Sequence, residues 1–126
     1  MKRVLFVCSH NSVRSPMAEA IYNHASRRSR ASSAGIDPVH SVKTQAMATL
    51  SRRGISCQGL RPKRLTQQMI DSADKVVFLT KSHAGFDAPG SEEWDVPLPD
   101  SPESYDALFL LLRRKTGELA AKVDGA

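Results

Sequence analysis

Residues Val4 to Val7 read VLFV, four apolar side chains in succession, and they run into Cys8, a polar stretch SHNSVRS and then Pro16. A strand with one wet face alternates polar and apolar residues. An unbroken apolar run is the pattern of a strand covered on both faces, as in parallel sheets flanked by helices. Pro16 suits a first helical turn, where its missing amide hydrogen is not needed, and Ser15 is the natural cap before it. Strand, loop and helix follow one another, which points to an α/β domain.

The alternation continues along the chain. Met17, Ala20, Ile21, His24 and Ala25 trace one face of a helix reaching about Ser29, and Ala31 to Ile36 form a weaker strand ending near Gly35. Val42 to Arg53 is predicted helical, with Ala46, Met47 and Leu50 inward and Gly54 as its stop. Leu65 to Ser72 forms a short helix that Thr66 can cap, and Lys75 to Thr80 is a second buried strand. Lys81 to Pro102 reads mostly as loop, with a short strand at Trp94 to Val96; such long loops tend to be functional. Tyr105, Leu108, Phe109, Leu112 and Leu119 then space out a closing helix that begins at Ser101 or Pro102 and frays near Asp124.

With 126 residues, 40% of them hydrophobic, the chain suits a single domain, 1–126, around one core. No apolar run approaches the ~20 residues of a membrane span, and MKRVLFV enters a strand without a signal-peptide cleavage site, so a cytoplasmic protein without a membrane partner is expected. The net charge of +5 favours anionic partners. Nucleic acid is not among them, because the seven aromatic residues are not interleaved with the basic clusters as a stacking platform requires. Cys8 and Cys57 are read as thiols, and His24, His40 and His83 are too scattered for a metal site.

Why a buried strand should end on a cysteine follows from where ligands bind in such sheets: at the carboxyl ends of the strands. A loop passing from strand to helix gathers inward amide hydrogens, and the helix start adds partial positive charge, so the place suits an anion. A cysteine there is expected to react as the thiolate, the form that helix N-termini and nearby cations favour. Arg14 supplies a planar fork matched to two oxygens of a tetrahedral oxyanion.

Cys8, five residues, Arg14, Ser15 and Pro16, together with Asn11 and Met17 to Glu19, resemble the motif of the low-molecular-weight protein tyrosine phosphatases, whose scaffold is shared by thiol-coupled arsenate reductases. The similarity extends through SAG at Ser33 to Gly35, RPKRLT at Arg61 to Thr66, ADKVVFL at Ala73 to Leu79 and the acidic, proline-rich loop. The resemblance implies a three-layer fold with a four-stranded parallel sheet in the flavodoxin-like order 2-1-3-4 and helices on both faces. It implies a phosphotyrosine (aryl phosphate) phosphatase in which Cys8 forms a phosphocysteine. The phosphate would be held by Ser9, His10, Asn11, Ser12, Val13, Arg14 and Ser15, with no metal or cofactor.

A leaving aryl oxygen needs a proton, which the family supplies from an aspartate in a late loop. In WDVPLPDSPESY, alignment on Trp94 puts Leu98 where that aspartate falls, whereas alignment on Pro99 selects Asp100; Asp100 is taken as the acid, ahead of Asp95. Arg61 stands in place of a usual histidine, Thr80 in place of an aspartate, Val13 in place of a second loop cysteine, and Ser101 and Pro102 replace an aromatic pair. Two alternatives stay open. One is arsenate reduction with an external thiol of glutathione, mycothiol or glutaredoxin type, and the other is oxyanion binding without turnover. Cys57, in GISCQG, is expected to be a structural thiol.

Overall fold

Residues 1–125 are described in a computed structural model of the chain. Its elements follow the order β1 (Lys2–Cys8), α1 (Arg14–Ala25), β2 (Ser29–Gly35), α2 (Thr44–Ser51), α3 (Gln67–Ser72), β3 (Lys75–Phe78), β4 (Glu92–Glu93) and α4 (Pro102–Gly125). The strands form one sheet in the order β2-β1-β3-β4, every neighbouring pair parallel. This is the expected three-layer α/β architecture.

The apolar run that opens the chain lies in β1, between β2 and β3, and both its faces are buried. Val4, Phe6 and Cys8 face a core shared with α1, α2 and α4, including Met17, Ile21, Leu50, Phe109 and Leu112. Leu5 and Val7 face the opposite layer, with Ile70 of α3 and with Leu65 and Phe78. Phe6 is fully buried and meets Tyr22 edge-on at 5.9 Å and Trp94 at 5.6 Å between ring centroids.

Element boundaries differ from the sequence expectations where side chains have other work. α1 starts at Arg14, two residues before Pro16, and the N-cap position falls on Val13 without any side-chain cap. Ser15 lies inside the helix, its hydroxyl turned toward the end of β1. The helix stops at Ala25, leaving His24 and Ala25 exposed, and buried Tyr22 completes its inner face instead. α2 begins at Thr44, after Lys43, whose backbone is still extended and whose amide binds the Ser12 carbonyl at 2.9 Å, and beyond the helix Gly54, at φ +71°, turns the chain away. Thr66 caps α3 as expected, accepting from the Met69 amide at 3.2 Å.

The strand placed at Trp94 to Val96 is instead the preceding pair, Glu92–Glu93. The Trp94 amide still reaches the Phe78 carbonyl at 2.9 Å, but its indole turns into the core and Pro97 and Pro99 have no hydrogen to offer a ladder. Past Trp94 the chain leaves the sheet and crosses toward the end of β1. Ser101 caps α4, accepting from the Ser104 amide at 3.1 Å.

Truncating Phe6 to alanine removes a ring shared by sheet, α1 and the Trp94 segment. The expected cost is about 3–5 kcal/mol of stability, read from urea denaturation followed by circular dichroism.

Candidate active site

The segment from Ser9 to Val13 leaves the end of β1 as a loop whose carbonyls are bound from outside. Beyond β2, Ile36 donates its amide to Cys8 O at 3.1 Å, Asp37 to Ser9 O at 2.7 Å, Val39 to His10 O at 3.2 Å and Lys43 to Ser12 O at 2.9 Å. A peptide unit is planar and trans, so a carbonyl pulled outward turns the next residue's N–H inward. Among the described residues, no amide from Ser9 to Val13 donates to a protein acceptor. Asn11 adds the turn that closes this bowl: its φ of 52° is left-handed, a region asparagine tolerates better than most residues.

The Asn11 side chain is fully buried, and its orientation is fixed by one contact. The Lys63 backbone N–H, which can only donate, lies 2.9 Å from Oδ1. Nδ2 must therefore donate, and it reaches Ser15 Oγ at 2.7 Å and Ser33 Oγ at 3.0 Å. Ser33 passes its own hydrogen to Glu19 Oε1 at 2.6 Å. Ser15, having accepted from Asn11, has its hydrogen free for the sulfur of Cys8 at 2.8 Å. This arrangement lets the Ser15 hydroxyl donate to Sγ when the sulfur carries no proton.

Arg14, the first residue of α1, stands beside the bowl. Its Nη1 donates to Val96 O at 3.2 Å, which ties the 94–100 segment to the loop. Its Nε is buried without a hydrogen-bond partner among the described residues, a donor left for something the protein itself does not supply. The uncapped start of α1 faces the same place, with the positive end of its dipole. Together these groups can hold a tetrahedral oxyanion above Cys8, which is 2% exposed.

The loop residues named from sequence, Cys8 to Ser15, thus converge, although their roles divide. His10 is exposed, with Nδ1 3.1 Å from the Asp37 carbonyl on the rim, while Ser9 Oγ meets Thr80 Oγ1 at 3.4 Å, so Thr80 still supports the loop. Asp100 and Asp95 are both exposed on the far wall. The Asp100 amide donates to Ser104 Oγ at 2.8 Å just before α4, and Asp95 directly precedes the Val96 that Arg14 holds. Cys57 is a free thiol in contact with the Met47 carbonyl at 3.5 Å. Sequence reasoning missed the Lys63 and Val96 contacts, both made by backbone atoms that no residue type announces. It noted Ser33, Gly35 and Glu19 without giving them a role; their spacing from the loop was the available signal.

Burial pushes the Glu19 carboxyl above the usual glutamate range, against the pull of the Ser33 hydrogen bond and the charges of Lys63 and Arg30. Gly35 lies so close beneath the loop that a Cβ there would meet Asn11 Cβ at 2.9 Å, Asn11 N at 3.0 Å and the His10 carbonyl carbon at 3.1 Å.

Residues 3–125 match the family model described as low molecular weight phosphotyrosine protein phosphatase, and the chain belongs to that family of cysteine-dependent phosphatases. It is 34% identical to a low molecular weight protein-tyrosine-phosphatase of Bacillus subtilis, YfkJ, over 98% of this chain and 96% of the relative. It is 30% identical to arsenate reductase 1 of Bacillus cereus, over 75% of this chain and 82% of that protein. Among solved structures, the YwlE arginine phosphatase of Geobacillus stearothermophilus superposes with a TM-score of 0.87 at 26% identity, covering 99% of this chain and 94% of the other.

Two measurements probe the support beneath the loop. Gly35→Ala is expected to displace the Asn11 turn and weaken inorganic phosphate binding about tenfold or more by calorimetry, equivalent to roughly 1.4 kcal/mol, with circular dichroism unchanged. The raised Glu19 value means the folded chain holds that proton more tightly than the unfolded one. The resulting stability is full below the ordinary value of 4.5 and is lost as pH rises through the folded value. Thermal melts should therefore show Glu19→Gln gaining on the wild type as pH is raised from about 4 to about 8.

Proposed function

We propose that the protein hydrolyses phosphotyrosine-like aryl phosphate monoesters through a phosphocysteine intermediate. Cys8 Sγ attacks phosphorus in line with the leaving oxygen; the S–P bond forms as the P–O bond breaks, and Asp100 gives its proton to the departing aryl oxygen. The Arg14 guanidinium and the amides from Ser9 to Val13 hold the equatorial oxygens as charge redistributes. Water then attacks the phosphocysteine, the Asp100 carboxylate takes its proton, and Cys8 leaves as thiolate with the Ser15 hydroxyl donating to it. The observation that carries this reading is the buried hydrogen-bond network from Asn11 through Ser15 that reaches Sγ at 2.8 Å, beside the unpartnered Nε of Arg14. Its natural partners are phosphotyrosine proteins.

A second reading, arsenate reduction with an external thiol reductant, is supported by the arsenate reductase relative and by the same bowl, since it asks only Cys8 of this chain. Residues 80–100 contain no cysteine that could relay a disulfide.

Hydrolysis of phenyl phosphate is expected to fall at least about 1,000-fold in Cys8→Ser, and about 100-fold or more in Asp100→Asn with loss of the alkaline limb of the pH profile. If Asp95→Asn shows that loss and Asp100→Asn does not, the acid is Asp95. Thiol-dependent arsenate turnover exceeding phenyl phosphate turnover would install the second reading in place of the first.

A further inference from the structure

The two walls of the bowl differ in charge where a bound segment would lie. On one side, residues 36–43 are stitched to the loop by the four amide bonds already described, and a cleft of about 650 Å³ opens between this segment, the loop and the start of α2. His10, Ser12, Val39, His40 and Lys43 line it, and no carboxylate does. Asp37, the one acidic residue of the segment, is exposed and lies outside the lining. The first turn of α2 begins at this cleft with Lys43 as an N-cap that makes no side-chain cap bond. On the other side, the segment held by Arg14 presents Asp95 and Asp100, both exposed, followed by Glu103 in the first turn of α4.

We propose that the cleft between the loop and α2 is a second anion subsite, and that it selects phosphoprotein segments bearing Asp or Glu beside the phosphorylated residue on the Lys43 side. The proposal rests on the phosphatase reading and gives it a substrate class. A peptide whose phosphate sits in the bowl must lay its flanking residues over these two walls. An acidic neighbour toward Lys43 meets a side-chain cation, imidazole donors and a positive helix end. The same neighbour toward Asp95 and Asp100 meets like charge. Val39, 45% exposed, and Leu98, 62% exposed, offer apolar contact on the two walls without discriminating by charge.

The test is calorimetric titration of the full chain carrying Cys8→Ser with one phosphotyrosine peptide in which Glu, Gln or Lys is placed in turn on each flank. Glu in place of Gln on one flank should tighten binding about fivefold, as expected for one solvent-exposed charge pair, and on the opposite flank weaken it. Both effects should fade at about 0.5 M salt. In Lys43→Glu, an exposed site where folding is not at stake, the favourable preference should reverse, and in Lys43→Gln it should shrink to what the imidazoles and the helix end supply; the Gln peptide is the internal standard in every variant. Equal affinities across the series, or a preference that survives Lys43→Glu, would overturn the proposal. Because the readout is binding, it stands apart from the phosphatase reading, which fails separately if the wild type does not turn over phenyl phosphate.

Discussion

The site depends on one buried amide. Asn11 can face only one way, because the Lys63 N–H claims its oxygen, and that single constraint aims both hydrogens of its amide at the Ser15 and Ser33 hydroxyls, which reach on to the Cys8 sulfur and to Glu19. A buried asparagine without partners would be costly; here all its donors and its acceptor are met, so the network stiffens the loop rather than weakening the core. The left-handed turn at Asn11 is held from within by this network and from beneath by Gly35.

Fold and chemistry meet at β1. The strand is buried on both faces because helices cover both sides of the sheet, and its last residue is the proposed nucleophile, so Cys8 sits at the end of an enclosed strand. The neighbouring strand contributes differently. After Gly35 the chain keeps running beside the loop, spending its amides on loop carbonyls, and this outside bracing turns the inner amides toward the anion. The 94–100 segment closes the opposite side through the single Arg14 to Val96 bond.

Much of this was legible in the sequence. VLFV followed by Cys8, and Arg14 with Ser15 and Pro16, carried the fold class, the strand end and the loop. The position of the first helix start was not legible, because Ser15 looks like a cap and its hydroxyl is engaged by the sulfur and by Asn11 instead. Trp94 to Val96 has strand-like residues, yet burial of the indole and two nearby prolines take the chain out of the sheet. The late aspartates stayed ambiguous for a related reason: a loop shaped by prolines and by one backbone contact leaves no periodicity from which to assign a side chain's direction.

The four amide bonds along the rim also bear on what it costs to bind an anion. A cradle braced from outside is already in its binding shape, so little ordering entropy is spent when a tetraoxyanion arrives. Under the proposed hydrolysis the same economy extends to inorganic phosphate, which brings the cradle four oxygens of its own. A firm hold on its own product is what the proposed reaction inherits from a preformed cradle.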